Sequence, residues 1–224
     1  MRFALIAAPR FGTHLLRNAL NGHPDIYVSR EILNPTVFKH GNRTGVIVLQ
    51  EWYNAPHPEA CVGTLLHRDL YWPPISNEFE VWDEVARTQD KVISVVRDNL
   101  LKAYLSRLVA MRQTRDWGCF KVRTKKVTPM HMKAKDLLHF CNKFWGYYGR
   151  VDLRYFPRLM VTYEEMCLNW SETMVTIQKF LGAPVIPLPQ VTYKQETRSL
   201  RDSILNYSEI AKVVGDIGCG RWLD

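Results

Sequence analysis

The chain of 224 residues is 46% hydrophobic and 12% aromatic, enough to bury a sizeable core, and its length fits a single domain over residues 1–224. A formal charge of +8 and an isoelectric point near 9.3 point to an anionic partner without choosing among nucleotide, acidic glycan, nucleic acid and membrane surface. No apolar run approaches the ~17 residues that a membrane span requires, and Cys61, Cys119, Cys141, Cys167 and Cys219 never adopt metal or redox spacing, so the expectation is a cytoplasmic protein with reduced thiols, no signal peptide and no metal.

From the N-terminus, the apolar run Phe3 to Ala8 predicts a buried strand, Pro9-Arg10-Phe11-Gly12 a tight turn, and Thr13 to Leu20 a helix ended by Gly22 and Pro24. Pro35 to Pro58, with its scattered Gly, Asn, Pro and His, reads as a long loop. Short runs at Cys61 to Leu66, Val92 to Val96 and Leu159 to Thr162 predict further buried parallel strands. Helices are predicted over Asn99 to Met111, Ala134 to Tyr148 and Ser171 to Leu181, the last stopped by Gly182. Arg112 to Met132, rich in basic residues, reads as a second loop. This alternation predicts an α/β fold, a central parallel sheet of about four to five strands flanked by helices.

A strand that turns sharply into a helix gathers unpaired N–H groups and the positive end of the helix dipole at one point, which suits an anion. Pro9 to His14 occupies that point. Gly12 would admit a close anion, Arg10 adds a fixed charge, and Thr13 either caps the helix or donates its hydroxyl to a phosphate. Neither Gly-x-x-x-x-Gly-Lys-Ser/Thr nor Gly-x-Gly-x-x-Gly is present, which disfavours an ordinary kinase, ATPase or dehydrogenase. Arg97 follows the run Val92 to Val96, where its guanidinium could reach the same sheet edge. On the helix after it, Leu100, Leu101, Tyr104, Leu105, Leu108 and Met111 share one face, and Lys102 and Ser106 share the other.

Together these pieces resemble the family of sulfotransferases that use 3′-phosphoadenosine 5′-phosphosulfate (PAPS), in its bacterial form acting on glycans and lipids. Pro9 to His14 is similar to the family's Pro-x-x-Gly-Thr loop, and Arg97 with Ser106 to its 3′-phosphate site. Asn21-Gly22-His23-Pro24-Asp25-Ile26, Met160-Val161-Thr162-Tyr163-Glu164-Glu165, Leu181-Gly182-Ala183-Pro184 and the tail Thr197 to Tyr207 continue the likeness in order. Phe11 and His14 depart from it, since the family commonly has hydroxyl side chains there.

The resemblance implies a P-loop-like sulfotransferase fold and transfer of a sulfuryl group from PAPS to a hydroxyl on a glycan, lipid headgroup or small metabolite, with no metal and no nucleic acid. It implies that Arg10, Phe11, Gly12, Thr13, His14 and Leu15 hold the phosphosulfate, that Arg97 and Ser106 hold the 3′-phosphate with Lys194 and Arg198 as weaker candidates, and that Tyr163 stacks near the adenine. Two residues compete for the base: Glu31, in a Glu-x-x-Asn-Pro setting like that of bacterial members, and His67, where eukaryotic cytosolic members have a histidine. Glu31 has the better-matching flanks; His14 and Arg10 would act on the transferring group. The basic residues between Arg112 and Lys126 and the aromatics Trp52, Tyr53, Tyr71 and Trp72 could meet an anionic or sugar acceptor. The competing readings are a catalytically inactive nucleotide- or polyanion-binding relative and an atypical P-loop kinase.

Overall fold

The computed structural model describes residues 1–34, 43–67, 78–114, 128–145, 158–191 and 198–224. Two compact units emerge: Met1–Val96 with Asp152–Val191, and Arg97–Val151 with Thr192–Asp224.

The first unit is built on five parallel strands: β1 (Arg2–Ala7), β2 (Ile26–Val28), β3 (Cys61–His67), β4 (Lys91–Val96) and β5 (Arg158–Thr162), in the order β2-β3-β1-β4-β5. Its helices are α1 (Thr13–Leu20), α2 (Gly45–Asn54), α3 (Glu78–Thr88), α6 (Tyr163–Leu168) and α7 (Trp170–Leu181). This is the expected α/β architecture. Strands β2 and β3 lie on one side of β1 and β4 and β5 on the other, so the chain reverses its winding direction there, which opens a crevice at the carboxyl ends of the strands. Strand β3 is buried along its whole length, and β1 and β4 at every residue but the first, as parallel strands covered on both faces require. One side of the core gathers Ala4 and Ile6 of β1, Val62 and Leu66 of β3, Val92 of β4, Val48, Leu49 and Tyr53 of α2, and Val81 and Val85 of α3.

Helix α2 corrects the long-loop reading of Pro35 to Pro58. The Thr44 hydroxyl accepts the Ile47 N–H at 3.3 Å, capping a helix whose Val48, Leu49 and Tyr53 are buried. The β-branched run Val46-Ile47-Val48 hides this helix from propensity, and burial of one face overrides it. Residues 35–42 lie outside the described residues. Two of the expected family segments meet here. Asn21 pins β2 to the end of α1, its Oδ1 accepting the Val28 N–H at 2.7 Å and its Nδ2 donating to the Val28 carbonyl at 3.0 Å. His23, buried, accepts the Asp25 N–H at Nδ1 (3.0 Å) and donates from Nε2 to the Pro184 carbonyl (2.8 Å), tying the exit of α1 to the segment beyond Gly182.

The second unit contains α4 (Leu100–Val109), α5 (Ala134–Trp145), α8 (Leu200–Ser203) and α9 (Tyr207–Asp216). The Asn99 side chain caps α4 by accepting the Lys102 N–H, and it donates to the Trp222 carbonyl at 2.9 Å. Leu100, Leu101, Tyr104, Leu105 and Leu108 are buried as the stripe predicts, but Met111 is 47% exposed. The α-helix ends at Val109 and continues as a π-turn over Ala110–Thr114, whose wider winding carries Met111 off the stripe. Tyr104, Phe140 and Phe144 pack in series as tilted ring pairs, with centroids 5.1 and 4.6 Å apart. No helix among the described residues is long and apolar enough to cross a membrane, and no cluster of His, Cys, Asp and Glu among them could hold a metal ion.

Candidate active site

Strand β1 delivers the chain into a turn with two residues in the left-handed region, Arg10 (φ 73°) and Gly12 (φ 93°). Gly12 stands at the N-cap of α1 and no side chain caps the helix, which removes the capping role considered for Thr13: it is the first helical residue, with its side chain buried. The first intrahelical bond runs from the Leu16 N–H to the Gly12 carbonyl at 3.1 Å, so the N–H groups before Leu16 have no partner within the helix. A Cβ on Gly12 would fall 2.5 Å from Cδ2 of Tyr163, the first residue of α6. Glycine is therefore required by both the backbone turn and the Tyr163 ring packed on it. The Phe11 and Leu15 side chains are buried, and the Phe11 N–H is turned to the Ala8 carbonyl at 3.3 Å.

The two candidate bases, considered above as alternatives, are bonded to each other. Glu31 follows β2 and His67 ends β3, and His67 Nε2 lies 2.8 Å from Glu31 Oε1. His67 Nδ1 lies 3.2 Å from the carbonyl of Ala7, its register partner on β1. Both ring nitrogens face oxygen acceptors, an arrangement that a doubly protonated ring satisfies on both sides and a neutral ring on only one. From the first turn of α1, His14 Nε2 stands 3.6 Å from the same Oε1, and Asn34 Nδ2 donates to Oε2 at 2.6 Å. The turn carrying Glu31 is fixed to β3, because the Ser29 N–H donates to the Gly63 carbonyl and the Ser29 and Thr64 hydroxyls lie 3.0 Å apart.

Side-chain exposure runs from 28% for His14 through 16% for Glu31 to 5% for His67. Burial alone would raise the Glu31 carboxyl, but the bonds from His14 and His67, the His67 charge and the Asn34 amide outweigh it and hold the group well below the usual carboxylate range. The arrangement is an ionised carboxylate at the mouth of the site with a buried imidazole behind it. It can take up a proton from a bound hydroxyl.

The structure thus brings together Arg10, Phe11, Gly12, Thr13, His14, Leu15, Glu31, His67 and Tyr163 in the first unit. Arg97, Ser106 and Arg198 belong to the second. Arg97 is buried and comes directly after the last residue of β4, Ser106 is half-buried on α4, and Arg198 is half-buried just before α8. Lys194, Tyr71, Trp72 and residues 115–127 of the basic stretch lie outside the described residues. Tyr53 is a core residue whose hydroxyl donates to the Phe3 carbonyl at 2.9 Å, and half-buried Trp52 packs against both Tyr27 and His57 at 5.7 and 4.8 Å. Asn34 was visible in the sequence only as part of the Glu-x-x-Asn-Pro setting; its i, i+3 spacing from Glu31 on a turn was the signal for its contact.

No family model matches the chain. It is 27% identical to nodulation protein H of Rhizobium tropici over 222 residues, 94% of this chain and 88% of that protein, and 27% identical over 234 residues to nodulation protein H of Rhizobium meliloti, 93% and 89% of the two chains. In structure it is similar to a sulfotransferase from Alicyclobacillus acidocaldarius, with a TM-score of 0.51 at 15% identity over 99% of this chain and 94% of that one. The chain has the sulfotransferase fold and is similar along nearly its whole length to bacterial nodulation protein H.

Proposed function

We propose that the protein is a sulfotransferase, moving a sulfuryl group from PAPS to a hydroxyl of a glycan, lipid headgroup or small metabolite, with Glu31 as the base. The observation that carries the reading is the Glu31–His67 pair, set at the carboxyl edge of the sheet beside an uncapped helix N-terminus. PAPS would supply the sulfuryl group, whose sulfur forms a bond to the acceptor oxygen as its bond to the 5′-phosphate oxygen breaks.

The rest falls to the protein. The N–H groups at the start of α1 and the Arg10 guanidinium would hold the anionic end of the donor and offset charge gathering on the departing phosphate. Gly12 makes the left-handed turn that sets the start of α1, with the Tyr163 ring packed where a Cβ would stand. Arg97 and Ser106, with Lys194 and Arg198 as weaker candidates, would bind the 3′-phosphate, and Tyr163 would serve the adenine end. Glu31 is preferred to His67 for the proton because its carboxylate is the more exposed of the two, while His67 is buried behind it and orients it. The resemblance of the tail Thr197 to Tyr207 to bacterial members acting on glycans and lipids favours a glycan or a lipid headgroup as the acceptor. A single catalytic domain over residues 1–224, acting in the cytoplasm, completes the reading.

Incubation with radiolabelled PAPS and a panel of glycans, lipid glycans and phenols tests it. The wild type should label at least one acceptor, and Glu31→Gln should lower turnover roughly 100-fold or more with nucleotide binding nearly unchanged. The wild-type kcat/KM should stay flat from pH 8 to 5, because the Glu31 carboxyl is held well below the usual carboxylate range. A fall inside that window would take the role of base away from Glu31.

A further inference from the structure

Asn34 makes two bonds to the same residue. Its N–H donates to the Glu31 carbonyl at 2.9 Å, closing the turn, and its Nδ2 donates to Glu31 Oε2 at 2.6 Å. The first bond needs only the backbone and would survive truncation of the side chain. The second acts on one chosen oxygen of the carboxylate. A carboxylate offers about four lone-pair directions; His67 takes one on Oε1, His14 stands over that same oxygen, and Asn34 takes one on Oε2. Among the described residues, the direction left open is the second lone pair of Oε2, next to the Asn34 amide.

We infer that Asn34 is the positioning residue of the base: it fixes the Glu31 carboxylate plane so that the free lone pair of Oε2, and not Oε1, receives the proton of the acceptor hydroxyl. This rests on the functional reading above. The proton passes from the acceptor oxygen to Oε2 as that oxygen forms its bond to sulfur. The amide also lowers the proton affinity of Oε2, which keeps the carboxylate ionised before the acceptor arrives. Asn34 thereby sets both where the base points and the pH below which it is lost. The three groups divide their work: His67 anchors Oε1 from the buried side, His14 screens it from the open side, and Asn34 leaves a single approach.

The test uses the full chain, with the Glu31 carboxyl titration followed by carbon NMR on glutamate labelled at the carboxyl carbon and assigned by its loss in Glu31→Gln. In Asn34→Ala the Glu31 titration should move upward. In Asn34→Asp, which keeps the shape but places a second carboxylate beside Oε2, it should move further. On the acceptor labelled by the wild type, kcat/KM at pH 7 should fall about tenfold or more in both variants, with its acid limb displaced upward and the affinity for 3′-phosphoadenosine 5′-phosphate (PAP) unchanged. A Glu31 titration and an acid limb that stay in place in Asn34→Ala, in a protein whose wild type transfers sulfate, overturn the inference alone. A wild type that transfers no sulfuryl group overturns the functional reading beneath it.

Discussion

A buried carboxyl normally loses its charge, and Glu31 keeps its own because three neighbours favour the ionised form. The consequence reaches stability. A free carboxyl titrates near 4.3 in the unfolded chain, above the depressed folded value, so the unfolded state binds the proton more readily. The Glu31 contribution is therefore complete above about pH 5 and is lost as the pH falls below the unfolded value toward the folded one. Urea unfolding of wild type and Glu31→Gln between pH 3 and 7 should show the wild type losing stability faster toward acid. Parallel curves would show that the His14, His67 and Asn34 contacts do not stabilise the charged form. The sequence named both Glu31 and His67 but set them against each other, because nothing in a linear pattern says that the exit of β2 and the end of β3 face each other across 36 residues. Parallel pairing of β2 with β3 supplies that information.

Among the elements, the turn between β1 and α1 was the most legible, since a buried apolar run, a Pro-Gly turn and a helical stripe each follow from local chemistry, and α1 begins and ends where its pattern does. Strand β2 is only three residues long and too short to carry a period, and α3 was not foreseen although Val81, Trp82 and Val85 carry a helical spacing toward the core. The sequence could not show why Gly12 is glycine twice over, because Tyr163 lies 151 positions away. That double requirement can be tested against Gly182, the C-cap of α7, which has a similar φ of 74° and nothing within 4 Å of where a Cβ would stand. Gly182→Ala should cost about 1 kcal/mol, the backbone penalty alone. Gly12→Ala should cost about 2–4 kcal/mol, because a sub-van-der-Waals contact with the Tyr163 ring is added, and it should weaken PAP binding by displacing the start of α1. Equal losses in thermal unfolding would contradict the packing of Tyr163 on the turn.

For the whole molecule, the sheet order explains why residues so scattered in sequence serve one edge: the turn after β1, Glu31 after β2, His67 ending β3 and Tyr163 after β5 all follow the carboxyl ends of parallel strands. The net charge of +8 suits contact with an anionic ligand. That much was readable from alternation and composition, whereas the acceptor was not, because it depends on loop shapes that no local pattern encodes. The central claim is that the turn after β1 is the sulfate end of a site for a nucleotide carrying a 3′-phosphate. Isothermal titration calorimetry with PAP, AMP and ATP tests it most directly: the account predicts that PAP binds at least about 100-fold more tightly than AMP or ATP, since a charge-assisted phosphate contact is worth about 1.5–3 kcal/mol and the proposed Arg97 and Ser106 site would make more than one to the 3′-phosphate. Submicromolar binding of ATP with no binding of PAP would contradict it.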